Sequence, residues 1–256
     1  MAQDITLPVI IFGSIAGTAT LTGVFLLTKK EDWARKNSHF INSFAAGVIL
    51  ALALFHLMPE ALELNEFALV YVFIGFIVFY LLESVLILHS GAEIHYMDKA
   101  HIGIAESLSE KRTKGIVVIS GLGFHSLIDG IIIGVGFEVS TSIGLLTSLG
   151  VILHEFPEGI TSVSILLDAG MDKLAALRYS IIVAVATPIG SIGSLIFVLG
   201  VSEVIIGALL AIAAGTFLYV SASDLIPETH ERDNKKHAVI LLGGVAFLYL
   251  LTVALG

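Results

Sequence analysis

The stretch His154-Glu155-Phe156-Pro157-Glu158-Gly159 and a shorter counterpart, His125-Ser126-Leu127-Ile128-Asp129-Gly130, place ionisable residues inside long apolar runs. Each reads His-x-x-x-acid-Gly. A helix puts positions i and i+4 on one face, so each run presents an imidazole and a carboxylate one turn apart. A carboxylate at mid-bilayer costs roughly 2.5–3.5 kcal/mol on insertion scales, and such residues mark functional sites. Pro157 adds a second signal. It has no N–H for the carbonyl of Leu153, and free backbone at that depth needs protein or a water-filled cavity around it.

The surroundings of these two runs are membrane-like. Hydrophobic residues make up 56% of the 256-residue chain and charged residues 14%, where a soluble domain carries about 25%. The mean hydropathy is +0.97. Eight crossings of about 20 residues each would use about 160 residues. Apolar segments at about 5–28, 40–58, 67–88, 115–138, 143–167, 174–199, 203–222 and 238–255 fit that count. A water-soluble enzyme and a disordered chain are excluded, and the net charge of −9 opposes nucleic acid. The chain has no Cys, hence no thiolate site and no cysteine nucleophile. Nothing N-terminal reads as a cleavable signal, because a basic n-region is missing. The expected fold is an all-α membrane protein of eight transmembrane helices, one transporter domain over 1–256, with a cytoplasmic loop at about 89–114.

Charge placement orients this arrangement. All 13 Lys and Arg fall between, or for Arg178 just inside, spans 1 and 2, 3 and 4, 5 and 6, or 7 and 8, the last pair holding Arg232, Lys235 and Lys236. Basic residues stay cytoplasmic, which predicts both termini outside. The outer side carries Asp4, Glu60, Glu63, Glu66, Glu138 and Glu203, an acidic mouth that would concentrate cations. Residues 45–60 align without gaps on 213–228, with seven of 16 positions identical, ending in Pro59-Glu60 and Pro227-Glu228. These are spans 2 and 7, which cross in opposite directions, so the alignment predicts an inverted-topology repeat.

Depth places the chemistry. At 1.5 Å per residue, Asp129, His125, His154 and Glu158 lie about 14–22 Å below the outer helix ends, near the middle of a 30 Å core. Two imidazoles and two carboxylates on adjacent antiparallel helices form a four-ligand set for a divalent transition metal. Zn2+ or Fe2+ suits this N/O mixture better than Ca2+ or Mg2+, which prefer all-oxygen shells. Hydrogen-bonded packing between helices is the structural alternative.

At these residues the chain resembles the ZIP (Zrt/Irt-like) family of divalent metal transporters. The two His-x-x-x-acid-Gly motifs, His56-Leu57-Met58-Pro59-Glu60 in span 2 and Gly215 through Pro227-Glu228 in span 7 carry the resemblance. It implies import toward the cytoplasm across the cell membrane, with Zn2+ as the leading substrate and iron, manganese or cadmium as others. It implies His125, Asp129, His154 and Glu158 as primary ligands, and Ser126 and Glu155 at a second position. Span 6 departs from the two-metal pattern, with Thr187-Pro188-Ile189-Gly190 where some members place Glu. The resemblance also implies a homodimer, and motion of spans 1, 4, 5 and 6 against 2, 3, 7 and 8. His56 and Glu60 are candidates for the entrance, and Asp224, Glu228 and His230 for the exit. His89, His95 and His101 occur in the loop after span 3. Two other readings compete: an intramembrane zinc hydrolase, since His154-Glu155 opens like a metalloprotease motif that then lacks its second His, and a metal sensor without flux.

Overall fold

The computed structural model describes residues 4–90, 108–227 and 234–255. Glu93, His95, Asp98, His101, Glu106, Glu228 and His230 lie outside the described residues, as do the side chains of His89 and Asp224. Among the described residues there are helices and no strands. In chain order they are α1 (Thr6–Lys29), α2 (Glu31–Leu52), a π-helical turn (Ala53–Leu57), α3 (Met58–Leu64), α4 (Ala68–Ser90), α5 (Leu108–Val139), α6 (Thr141–Asp168), α7 (Lys173–Val198), α8 (Glu203–Tyr219), a second π-helical turn (Val220–Leu225) and α9 (Asn234–Leu255).

Among the described residues six helical segments are long and apolar enough to cross a membrane: Thr6–Lys29, Glu31–Leu64, Lys111–Val139, Lys173–Val198, Glu203–Ser223 and Lys235–Ala254. Beside them stand the shorter apolar helix Ala68–Leu82 and the 28-residue α6, whose apolar run is interrupted by His154, Glu155 and Glu158. Ile11, Phe73, Ile196 and Leu250 face outward. An exterior so apolar suits lipid, where the helical ladder satisfies the backbone internally.

The helices overrun the apolar segments at one end. α2 starts at Glu31, not near 40, and α5 at Leu108, not near 115. Lys30 alone separates α1 from α2, so Arg35 and Lys36 sit on the first turns of a helix and not in a loop. Glu31 and Asp32 favour a helix N-terminus through the macrodipole, and the Glu, Lys and Arg of 110–112 are good helix formers. Hydropathy marks the membrane edge, not the helix edge. The link from α5 to α6 is also tighter than the four residues 139–142 suggest. Ser140 alone makes it, in an extended conformation, with its hydroxyl accepting from Ile143 N–H as an N-cap.

The ends rich in Lys and Arg gather. Arg35 forms a bidentate pair with Asp168 at 3.1 and 3.2 Å, and Arg112 donates twice to Gly170 O at 3.0 and 3.2 Å. Lys173 Nζ donates to Thr28 O. At the opposite end Asn65 Nδ2 donates to Val204 O at 2.8 Å.

Two sets of helices pack closely. In the first, α1 lies on α6 and α7, and α5 on α6 and α7; in the second, α4 pairs with α8 and α2 with α9. Glycines bring the backbones together in reciprocal couples. Gly23 meets Phe156 O and Gly159 meets Thr20 O; Gly130 meets Thr187 O and Gly190 meets Leu127 O. In the second set Gly47 meets Leu241 O, Gly244 meets Phe44 O, Gly215 meets Val72 O and Gly75 meets Ile212 O. A Cβ at any of these positions would fall 2.0–2.3 Å from the carbonyl oxygen, so only glycine allows the approach. The two π-helical turns occupy matching places in the 45–60 and 213–228 segments.

Candidate metal centre

α5 and α6 run antiparallel through the middle of the first set. Their i, i+4 faces bring His125, Asp129, His154 and Glu158 together, with one ligand atom from each lying within 4.8 Å of the others. Asp129 Oδ2 is the hub, 3.0 Å from His154 Nε2 and 3.1 Å from His125 Nε2. Glu158 Oε2 lies 3.4 Å from His125 Nε2. A tetrahedral zinc with ligands at about 2.0–2.1 Å has edges of about 3.3–3.4 Å. Three edges of the group therefore lie close to that figure already.

The hydrogen bonds around the group fix how it is presented. His154 Nδ1 lies 2.9 Å from Gly150 O, one turn back on α6. A carbonyl only accepts, so Nδ1 carries the proton and Nε2 is directed at Asp129. Backbone anchoring of the far nitrogen is how metal-binding imidazoles are oriented. Ser126 donates to Glu158 Oε1 at 2.7 Å, leaving Oε2 toward His125. Phe79 packs edge-on to His125 at 5.1 Å and Phe217 to His154 at 6.1 Å. Near them Tyr219 and Phe76 complete an aromatic wall from α4 and α8.

The Asp129 and His154 side chains are 2% and 4% exposed, whereas that of His125 is 16% exposed. Leu52, Ile133, Val151, Leu210 and Phe217 are all buried in one apolar cluster, with Ile133 and Val151 one turn from Asp129 and His154 toward the acidic end. His125 lies on the side of the group nearer the basic end of α5.

Glu155 stands apart. It is fully buried, but its carboxylate accepts from Thr187 Oγ1 at 2.5 Å and from the Thr20 hydroxyl, on α7 and α1. Ser126, the other residue expected at a second position, bonds to Glu158 and not to Glu155. The sequence did not point to Thr20 and Thr187 as partners of Glu155. A signal existed: each opens a Thr-x-x-Gly, Thr20 to Gly23 and Thr187 to Gly190, on helices that both pack against the site pair.

The expected entrance residues are elsewhere. His56, in the first π-helical turn, contacts Thr252 Oγ1 of α9 at 2.9 Å. The Thr252 hydroxyl donates to Leu248 O, so His56 Nε2 is the donor in that contact. Glu60 lies on α3, partly exposed. Asp224 falls in the second π-helical turn.

The profile of the ZIP zinc transporter family matches residues 5–103 and 89–252, nearly the whole chain. The chain belongs to the ZIP family. Its members are transporters and not enzymes, which removes the hydrolase reading. Similar proteins include the zinc transporter zipt-7.1 of Caenorhabditis briggsae, 23% identical over 84% of this chain and 68% of its own length. The zinc transporter YKE4 of Saccharomyces cerevisiae is 28% identical over 78% of this chain and 63% of its own. The Drosophila melanogaster zinc transporter foi is 36% identical over 44% of this chain, which spans 16% of that relative.

Proposed function

We propose that this ZIP-family chain carries divalent transition-metal ions, Zn2+ first among them, across a membrane through a site made by His125, Asp129, His154 and Glu158. The observation that carries this reading is the convergence of four N/O ligand atoms within 4.8 Å at the middle of two antiparallel helices. A dication there offsets the cost of holding two carboxylates in a low-dielectric interior. Protons compete for the same lone pairs, so uptake falls as the medium is acidified.

In this reading α4 and α6 join the six long apolar segments to make eight spans. The glycine couples and the matched π-helical turns support an inverted repeat. The gathered Lys and Arg support a cytoplasmic basic end, with both termini outside and import as the direction. A plasma-membrane location and a homodimer rest on the family resemblance. The buried apolar cluster on the acidic-end side of Asp129 and His154, and the greater exposure of His125, support a state that releases its ion inward.

The test is Zn2+ uptake into proteoliposomes holding purified protein. Wild-type protein accumulates the ion and the D129A/E158A variant does not. Uptake unchanged in that variant refutes the site assignment, and stoichiometric zinc bound without flux in the wild type marks a sensor.

A further inference from the structure

We propose a second, separate metal site between α2 and α9, made by His39 and His237 at the basic end of the helix pair. The two side chains are 9% and 3% exposed, and their ring centroids lie 5.1 Å apart. Two imidazoles sharing one tetrahedral ion at about 2.0–2.1 Å have centroids about 5 Å apart. At the central site the His125 and His154 centroids are 5.5 Å apart. The His39–His237 pair is thus spaced as closely as one ion requires.

Hydrogen bonding favours one nitrogen of His237 as the ligand. Ser43 Oγ donates its one proton to His39 O at 2.8 Å. The same oxygen lies 2.8 Å from His237 Nδ1, and both contacts are hydrogen bonds when it accepts from that nitrogen. Nδ1 then carries the proton and the lone pair is left on Nε2. His154 has the same pattern, with Nδ1 tied to Gly150 O and Nε2 in the ligand group. Such an anchor on the far nitrogen is what orients and strengthens a ligating imidazole. Phe40 stacks on the His237 ring at 5.1 Å and 18°, and packs on His39 at 4.3 Å, which limits rotation of both rings. Asn42, buried one turn on from His39, adds a third N/O side chain on that face of α2. The glycine couples Gly47 with Leu241 O and Gly244 with Phe44 O hold the two helices in register next to the pair.

The ligand class is a borderline divalent transition metal, for which paired imidazoles are suited. Lys235 and Lys236 flank the site on α9 and oppose a dication, so the site is weak. It lies at the end where the proposed transport reading delivers its ion, but it stands on its own geometry.

Equilibrium dialysis of the purified full-length protein in detergent against Zn2+ tests it, read as bound metal and without flux. The H125A/H154A variant retains a saturable equivalent, and adding H39A/H237A removes it. S43A weakens that equivalent at least tenfold. A monodisperse, cooperatively melting H125A/H154A that binds no zinc overturns the proposal, as does an equivalent that survives H39A/H237A. A second variant guards against misfolding. Because the chain has no Cys, H39C introduces its sole thiol. Cd2+ then gives a thiolate charge-transfer band at a concentration at least tenfold lower in H39C than in H39C/H237A. Equal Cd2+ dependence in the two overturns the proposal. Intact uptake in D129A/E158A would bear on the transport reading alone.

Discussion

Gly130→Ala tests whether backbone contact between α5 and α7 positions the site. A Cβ at this position would fall 2.1 Å from Thr187 O, 2.6 Å from Ser191 N and 3.0 Å from Gly190 C. All three are backbone atoms, so no rotamer change relieves them. Restoring an ordinary contact of about 3.4 Å moves the helices apart by about 1.3 Å. Overpacking of this kind costs about 1–3 kcal/mol. In a chain of this size each kcal/mol shifts Tm by about 2–4 °C, so G130A melts several degrees lower. The site suffers more than the fold. Asp129 is the next residue, and its Oδ2 holds both imidazoles at 3.0 and 3.1 Å. Ligand groups tolerate displacements of about 0.5 Å, so an ångström-scale shift cuts zinc uptake at least tenfold. Gly123 on the same helix is the control. Its added Cβ meets nothing within 4 Å, so G123A leaves uptake unchanged and raises helix stability by up to about 1 kcal/mol. Uptake in proteoliposomes and thermal melting of the same preparations are the assays. Wild-type behaviour of G130A, or equal damage from G123A, refutes the reasoning.

Three further outcomes follow from the same contacts. Ser126→Ala removes the hydroxyl that aims Glu158, and a hydrogen bond to a charged group is worth about 1.5–3 kcal/mol, so the KM for zinc rises about tenfold or more with the maximal rate less affected. T20V/T187V strips both hydroxyls from buried Glu155, so Tm falls while zinc stoichiometry at the central group is unchanged in dialysis. Asp172, exposed at the start of α7, accepts from Ala175 N–H and Leu174 N–H, which holds its carboxyl below the ordinary value of 3.8. Its cap therefore stabilises above the unfolded value and is lost as pH falls through the lower folded one. D172A melts below wild type at neutral pH, and melting scans show the difference closing in strong acid.

The central group was readable because its signal is local. Charge inside an apolar run is conspicuous, and i, i+4 spacing fixes the shared face before any packing is known. The surroundings of Glu155 were not readable, for the opposite reason. Its partners Thr20 and Thr187 lie 135 and 32 residues away, and only the packing of α1 and α7 on α6 brings them together. The helix starts at Glu31 and Leu108 were hidden because polar helix turns and polar loops look alike to a hydropathy scan. The π-helical turns left no mark, since the same residues serve α and π geometry. His39 and His237 share no spacing rule, being on helices that meet only in the folded chain.

The reciprocal glycine couples have a mechanical consequence. Every ligand atom of the central group belongs to α5 or α6, and each of these is keyed by carbonyl-to-glycine contact to α7 or α1. Such seams cannot slip by a fraction of a turn, because any slip drives a backbone oxygen into a Cα. The opposing faces, where Leu52 abuts Gly150 and Phe79 abuts His125, meet through side chains that can re-seat. In the transport reading proposed above, a bound ion would stay gripped by α5 and α6 as cargo, exchanging its surroundings and not its ligands.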